Sequence, residues 1–279
     1  MQGGLEGKSI LVTGGGTGIG HACAAALAAD GAQVMICGRT ESSLVDSAGR
    51  ARDKAGFGGD VQHRVCDVTD EDSVRETIES TASLTGTLDG VVANAGGGGM
   101  IAPFHMQEKD EFLRVLQLNV LGTMLCIKHA VPLMRDAGGG SFVGMSSLAG
   151  HVTHPLFGAY TAGKAGIEQM MRNAADEFGP AKICFNSVRP GFIATEIMEG
   201  VPRDSEVFES YVKNTPLGDV GEPEDVGHLV RFLIGDQARW ITGAAINIDG
   251  GQALRRGPDF SSFLRDAVGD EVLTGKKPG

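Results

Sequence analysis

Three side chains in the stretch 147–164, SLAGHVTHPLFGAYTAGK, could move a proton: the Ser147 hydroxyl, the Tyr160 phenol and the Lys164 amine. Tyr160 and Lys164 are four residues apart, a spacing that on a helix stacks both side chains on one face, one turn apart. A fixed ammonium favours the phenolate, which would lower a pKa whose ordinary value of about 10 is too high for efficient acid-base work near neutrality. A serine that also hydrogen-bonds a substrate oxygen completes a set suited to moving a proton onto or off a carbonyl or an alcohol.

Such groups need elements to hold them in place. Ser147 follows the apolar run 142–145, and the stretch containing Tyr160 and Lys164 reads as a helix that Gly179 and Pro180 end. Further apolar runs at 9–13, 33–37, 61–66, 90–93, 183–188 and 245–248 alternate with helical stretches, among them 21–30, 42–55, 70–85, 107–134 and 223–234. Alternation of this kind, with no break in composition and no repeat, predicts one α/β domain, a Rossmann-like doubly wound parallel sheet of about seven strands flanked by helices. With 279 residues and 42% hydrophobic content the chain can bury a full core.

The first strand leads into Gly14-Gly15-Gly16-Thr17-Gly18-Ile19-Gly20 and then an Ala-rich helix. Glycines let the backbone approach a pyrophosphate, and the first helical turn offers free N–H groups and a positive dipole end. Strand two ends at Gly38-Arg39-Thr40, where an NAD-binding sheet of this kind carries an acidic residue for the ribose 2′-hydroxyl. A carboxylate would repel a 2′-phosphate, whereas a guanidinium pairs with it. NADP(H) is therefore expected, with NAD(H) as the alternative and an exposed Arg39 at a helix start as the plain structural reading. A formal charge of -11 argues against nucleic acid and anionic membranes as partners. No apolar stretch approaches the roughly 18 uninterrupted residues of a membrane helix. No secretory leader is visible at the N-terminus, and the five cysteines form no C-x-x-C pair. A cytoplasmic protein without a metal site is expected.

Taken together, Thr13-Gly14-x-x-x-Gly18-x-Gly20, Tyr160-x-x-x-Lys164 and a serine thirteen residues before the tyrosine resemble the short-chain dehydrogenase/reductase family over residues 5 to about 252. The resemblance implies that Gly14, Thr17, Gly18, Ile19 and Gly20 hold the cofactor phosphates, Thr17 standing where many NADP-using relatives carry a second basic residue. Arg39 and Thr40 would then meet the adenosine ribose. Asp67 would take the adenine amino group with Val68 packing on the ring, although Asp67 could equally cap the helix beginning near Asp70. Asn94-Ala95-Gly96 would pass beside the cofactor ribose, and within Pro190-Gly191-Phe192-Ile193-Ala194-Thr195 the Ile193 backbone and Thr195 hydroxyl would hold the carboxamide. Asn119 matches the family's helix asparagine, whose main chain supports a proton relay to the lysine, and Lys164 would also hold the nicotinamide ribose. Ser147 has the required spacing to Tyr160, and Ser146 is the fallback.

The implied activity is hydride exchange between NADP(H) and a carbonyl or secondary alcohol on a largely apolar small molecule, in a homo-oligomer, a tetramer or a dimer. Met100, Ile101, Leu148, His151, His154, Phe157, Phe192, Met198 and Phe208 are candidate lining residues, under a lid at 196–216. Competing readings are a catalytically silent dinucleotide-binding regulator, an epimerase or dehydratase of the extended branch, and an enoyl reductase. The catalytic domain is expected at 1–252. The extension 253–279 carries an apolar stripe, Phe260, Phe263, Leu264, Ala267 and Val268, on a short helix that either packs on its own subunit or crosses to a neighbour near the lid.

Overall fold

The computed structural model describes residues 4–255 and 260–277. Seven short apolar segments become strands: β1 Ser9–Thr13, β2 Gln33–Gly38, β3 Asp60–Val65, β4 Gly90–Ala93, β5 Gly140–Met145, β6 Ile183–Pro190 and β7 Ala245–Ile248. They form one parallel sheet in the order β3-β2-β1-β4-β5-β6-β7. Parallel neighbours need crossovers, and helices supply them: α1 Gly18–Ala29, α2 Glu41–Arg52, α3 Glu71–Ala82, α4 Lys109–Leu116, α5 Gly122–Asp136, α6 Gly158–Phe178, α7 Glu206–Asn214 and α8 Pro223–Ile234.

Because successive strand residues face opposite sides, the sheet feeds two cores. Ile10, Val12, Val34 and Ile36 join residues of α1, α2 and α8 on one face. Leu11, Met35 and Cys37 join residues of α3, α5 and α6 on the other. The winding reverses between β1 and β4, so the C-terminal ends of these strands border the crevice where such sheets bind ligands.

Two expectations change. The stretch 107–134 is not one regular helix: α4 passes through a π-turn, Gln117–Leu121, into α5. By length and composition the 28-residue run Lys109–Asp136 could cross a membrane, but it packs on the sheet between α3 and α6, which is why it is apolar. The cap of α3 is Asp70, which accepts from the Asp72 and Ser73 N–H groups at 3.0 and 3.4 Å. Asp67 is not the cap.

Beyond β7, α9 Ser261–Val268 and a last turn, α10 Asp270–Leu273, lie in the extension, of which residues 256–259 and 278–279 are outside the described residues. Phe260 is buried against its own chain, yet α9 itself buries no residue and Phe263 stays 41% exposed.

Candidate active site

Tyr160 and Lys164 stand in the first two turns of α6. The chain enters that helix through Leu156, held at φ 77°, a region unfavourable for a bulky side chain. The Leu156 carbonyl accepts from the Ala102 N–H at 3.0 Å, and Ala102 bridges to Phe157. Phe157 is thereby fixed with its ring edge-on to that of Tyr160, centroids 6.2 Å apart.

Lys164 is 4% exposed. Its Nζ donates to the Met145 carbonyl at 2.8 Å and lies 5.6 Å from the Tyr160 ring centroid, leaving two further N–H donors. Burial pulls its pKa down to about 8. Burial also pushes the Tyr160 phenol above 10.0, and the hydrogen bond with Ser147 opposes that rise. The sequence-based direction is thus corrected. The amine lies over the ring and is engaged with a carbonyl, so the cost of desolvating a phenolate outweighs its attraction.

The two serines separate. Ser147 Oγ accepts from the Ala149 N–H at 3.2 Å and opposes the rise of the Tyr160 pKa. Ser146 is 3% exposed, and its hydroxyl lies 2.9 Å from Glu168 Oε1 and 3.1 Å from the Lys164 carbonyl as acceptors, so it serves the core.

Asn119 is fully buried in the π-turn, a distortion often found at functional sites. Its Nδ2 donates to the Gly97 and Val115 carbonyls, both at 2.9 Å, and its own carbonyl accepts from Thr123 Oγ1 at 2.7 Å. A Cβ at Gly96 would come within 2.6 Å of Asn119 Oδ1 and 3.0 Å of Lys164 Nζ, so only glycine lets this loop lie against the amine. Asn119 therefore ties the loop after β4 to the Lys164 side of the site.

A cofactor cradle stands at the switch point. Gly14 and Gly18 have φ of 65° and 49°, the left-handed region that favours glycine. A Cβ at Gly20 would sit 2.1 Å from the Gly14 carbonyl oxygen. Thr17 caps α1 without a side-chain hydrogen bond to it, so the first-turn N–H groups stay open to an anion. Asn94 Nδ2 donates to the Thr13 and Gly14 carbonyls at 3.0 and 3.2 Å, and Thr13 Oγ1 accepts from the Asn94 and Ala95 N–H groups at 3.0 and 2.9 Å. Ser47 Oγ donates to the Gly15 carbonyl at 2.6 Å and pairs with His21 Nδ1 at 2.9 Å. These clamps fit a loop held open for a pyrophosphate.

At the ribose end Arg39 and Thr40 are exposed, and Arg39 has no ion-pair partner among the described residues. Asp67 accepts from Thr69 N–H and Oγ1 at 2.9 and 2.8 Å, contacts that hold its carboxyl low, with Arg39 adding to the effect. Val68 is buried, its Cγ2 beside Gly122.

Past β6, a Cβ at Gly191 would meet the Asp249 Cα at 2.8 Å. Phe192 and Ala194 are pinned to Gly221 by N–H···O bonds of 2.9 and 2.8 Å, with Ile193 5% exposed. Thr195 lies beside Gly18, where a Cβ would be 3.1 Å from its Cγ2. The segment 196–216, expected as a lid, contains a 3-10 segment, Glu196–Gly200, and α7. A cavity of about 590 Å³ lies between Gly18, Thr195 and Glu196 on one side and Met198 and Phe208 on the other. Of the lining candidates, Leu148 is buried and His151 exposed; His154, paired with the Val152 carbonyl at 2.9 Å, is kept low in pKa by burial.

Sequence reading missed the buried pair Glu168–Arg189. Arg189 Nε and Nη2 donate to the two Glu168 oxygens at 2.6 and 2.5 Å, one helical turn past Lys164. No spacing signal links residues on a helix and a strand. Tyr211, one of the apolar residues the sequence places in the 196–216 segment, is buried on α7.

A glycine cradle at the switch point of a doubly wound sheet, with a Ser–Tyr–Lys set beside it, defines a nicotinamide-dinucleotide oxidoreductase. Residues 14–253 match the family described as enoyl-(acyl carrier protein) reductase. The cis-4-hydroxycyclohexanecarboxylate dehydrogenase of Sinomonas cyclohexanicum is 37% identical over 248 residues, 88% of this chain and 96% of that protein. A short-chain type dehydrogenase/reductase from Mycobacterium ulcerans superposes with TM-score 0.96 at 41% identity, covering 98% of this chain and 99% of its own, so the likeness includes the extension. Levodione reductase superposes with TM-score 0.86 at 30% identity over 90% of this chain and 99% of its own. The chain belongs to the short-chain dehydrogenase/reductase family, oxidoreductases that act on alcohols and carbonyls.

Proposed function

We propose that the chain interconverts a carbonyl and a secondary alcohol on a largely apolar small molecule with NADP(H), and that Tyr160 is the general acid and base. The observation that carries this reading is the buried Lys164 amine 5.6 Å from the Tyr160 ring, with Ser147 close enough to the phenol to oppose the rise of its pKa. When bound, the nicotinamide supplies or receives the hydride. In the reducing direction Tyr160 gives its proton to the substrate oxygen and Ser147 orients that oxygen. Lys164, held by Met145, uses its two remaining donors on hydroxyl oxygens of the cofactor ribose, and Asn119 keeps the loop at Gly96 and Gly97 against it. Oxidation uses the same groups in reverse. Gly14, Thr17, Gly18, Ile19 and Gly20 would hold the phosphates, Asp67 and Val68 the adenine, Asn94, Ala95 and Gly96 the ribose side. Pro190, Gly191, Ile193 and Thr195 would hold the carboxamide.

NADP(H) is supported by Gly38 at the end of β2 and by the exposed Arg39 guanidinium beside it, which has no ion-pair partner among the described residues. Tyr160 and Lys164 one turn apart favour carbonyl chemistry over enoyl reduction, as does the alcohol substrate named for the Sinomonas relative. The free cysteines suit a cytoplasmic setting. Homo-oligomerisation is supported by the unpaired edge of β7 and by Trp240, Leu217 and Leu254, each more than four-fifths exposed. Removing the phenol with Tyr160→Phe should lower NADPH-dependent turnover of a ketone panel by about 10²-fold or more. Near-normal turnover in that variant would overturn the assignment.

A further inference from the structure

The chain has two tyrosines, and the fold brings both to one place. Tyr211, on α7, stacks on Phe192 with centroids 4.1 Å apart and planes at 9°. It meets Phe260 edge-on at 6.0 Å, Phe260 meets Phe157 at 4.7 Å, and Phe157 meets Tyr160 at 6.2 Å. A continuous wall of rings therefore runs from the catalytic phenol, through the C-terminal extension, to the lid and back to the segment after Gly191.

Within this hydrocarbon wall the Tyr211 hydroxyl is the odd group. The residue is 8% exposed, yet its hydroxyl has no hydrogen-bond partner among the described residues, where only its main-chain carbonyl accepts, from Thr215. Buried tyrosine hydroxyls normally find a partner. The hydroxyl is not among the polar atoms sealed from solvent, so it keeps some access from outside. Both tyrosines border one apolar cluster: Tyr211 and Phe260 belong to it, and Phe157, edge-on to Tyr160, packs against it. Burial keeps Tyr211 protonated far above neutral pH.

We infer that Tyr211 is a specificity-determining residue that hydrogen-bonds a second oxygen of the substrate, selecting ring compounds that carry neutral oxygen functions on two sides. One oxygen reacts at Tyr160 and the other is held by Tyr211. The flat walls Phe157, Phe192 and Phe260 suit a ring. A phenol is a neutral hydrogen-bond partner and suits a neutral oxygen. The inference rests on the carbonyl–alcohol reading above and adds the substrate class.

The test compares cyclohexanone with 1,4-cyclohexanedione, the same ring with one and two oxygens, in wild type and in Tyr211→Phe, which keeps the stacking on Phe192. A thermal melt within about 2 °C of wild type serves as the folding control. Expected is a loss of about tenfold or more in kcat/KM for the dione, carried mainly by KM, with the monoketone within twofold of wild type. Equal losses on both ketones, or no loss on the dione, would overturn the role of Tyr211 and leave the carbonyl chemistry standing. Wild-type turnover of neither ketone would count against the underlying function as well as the inference.

Discussion

Lys164 is where the chemistry and the stability of this protein conflict. Its pKa is depressed from 10.5 to about 8 by burial, so between those values the unfolded chain binds the proton more readily than the native one. The charged amine therefore costs the cofactor-free fold on the order of 3 kcal/mol at pH 7, a cost relieved as pH rises through 8 towards 10.5. Tyr160, shifted up from 10.0, acts in the opposite sense and only above pH 10, where the unfolded chain loses its proton first. Urea unfolding of wild type and Lys164→Met should show wild type gaining more than about 1 kcal/mol on the variant between pH 7 and pH 9. A constant difference would show that the amine is well solvated. At the ribose end, Arg39→Ala should raise the KM for NADPH by about tenfold while that for NADH changes little, the loss of one charge-assisted contact to phosphate. Equal effects on both cofactors would remove the basis for NADP preference.

At the scale of elements, the catalytic helix depends on a contact away from the reacting groups. Glu168, 3% exposed on α6, bonds Arg189 on β6 and Ser146 at the end of β5, so one carboxylate fastens the helix of Tyr160 and Lys164 to two strands. Removing one partner of a buried pair leaves the other charge uncompensated, and Glu168→Ala should cost about 3–5 kcal/mol in urea unfolding. Adding Arg189→Met should recover part of that loss, since an apolar replacement removes the orphaned charge. If the double variant is no better than the single, packing rather than charge sets the cost. The π-turn at Gln117–Leu121 is a similar device, since it places Asn119 where it can tie down the loop after β4.

Across the whole molecule, the extension acts on the mouth of the site. Phe260 bridges Phe157 and Tyr211, and near the chain's end His105 Nε2 pairs with the Lys276 carbonyl at 3.2 Å, so the segment runs from the lid to the loop after β4. Its own helix α9 leaves Phe263 open to a neighbouring surface. Deleting residues 257–279 should raise the ketone KM several-fold with the NADPH KM unchanged, because the aromatic wall is lost and the phosphate cradle is not. Unchanged Michaelis constants for both, with unchanged oligomer mass by light scattering, would show the extension to be a passive tail.

The glycine loop, the seven strands and the Tyr160–Lys164 spacing were legible from the chain alone, because each depends on residues close in sequence and on the short periods of helix and strand. Residues far apart in the chain were not. That Ser146 faces Glu168 while Ser147 turns to the Tyr160 side, that Asp70 rather than Asp67 caps α3, and that Tyr211 is linked to Tyr160 through the rings of Phe260 and Phe157 came only with the tertiary structure. So did the sign of the Tyr160 shift. A pKa reflects how much water the surrounding chain excludes as well as which charge stands one turn away, and that exclusion exists only once the sheet, the lid and the extension have closed around the phenol.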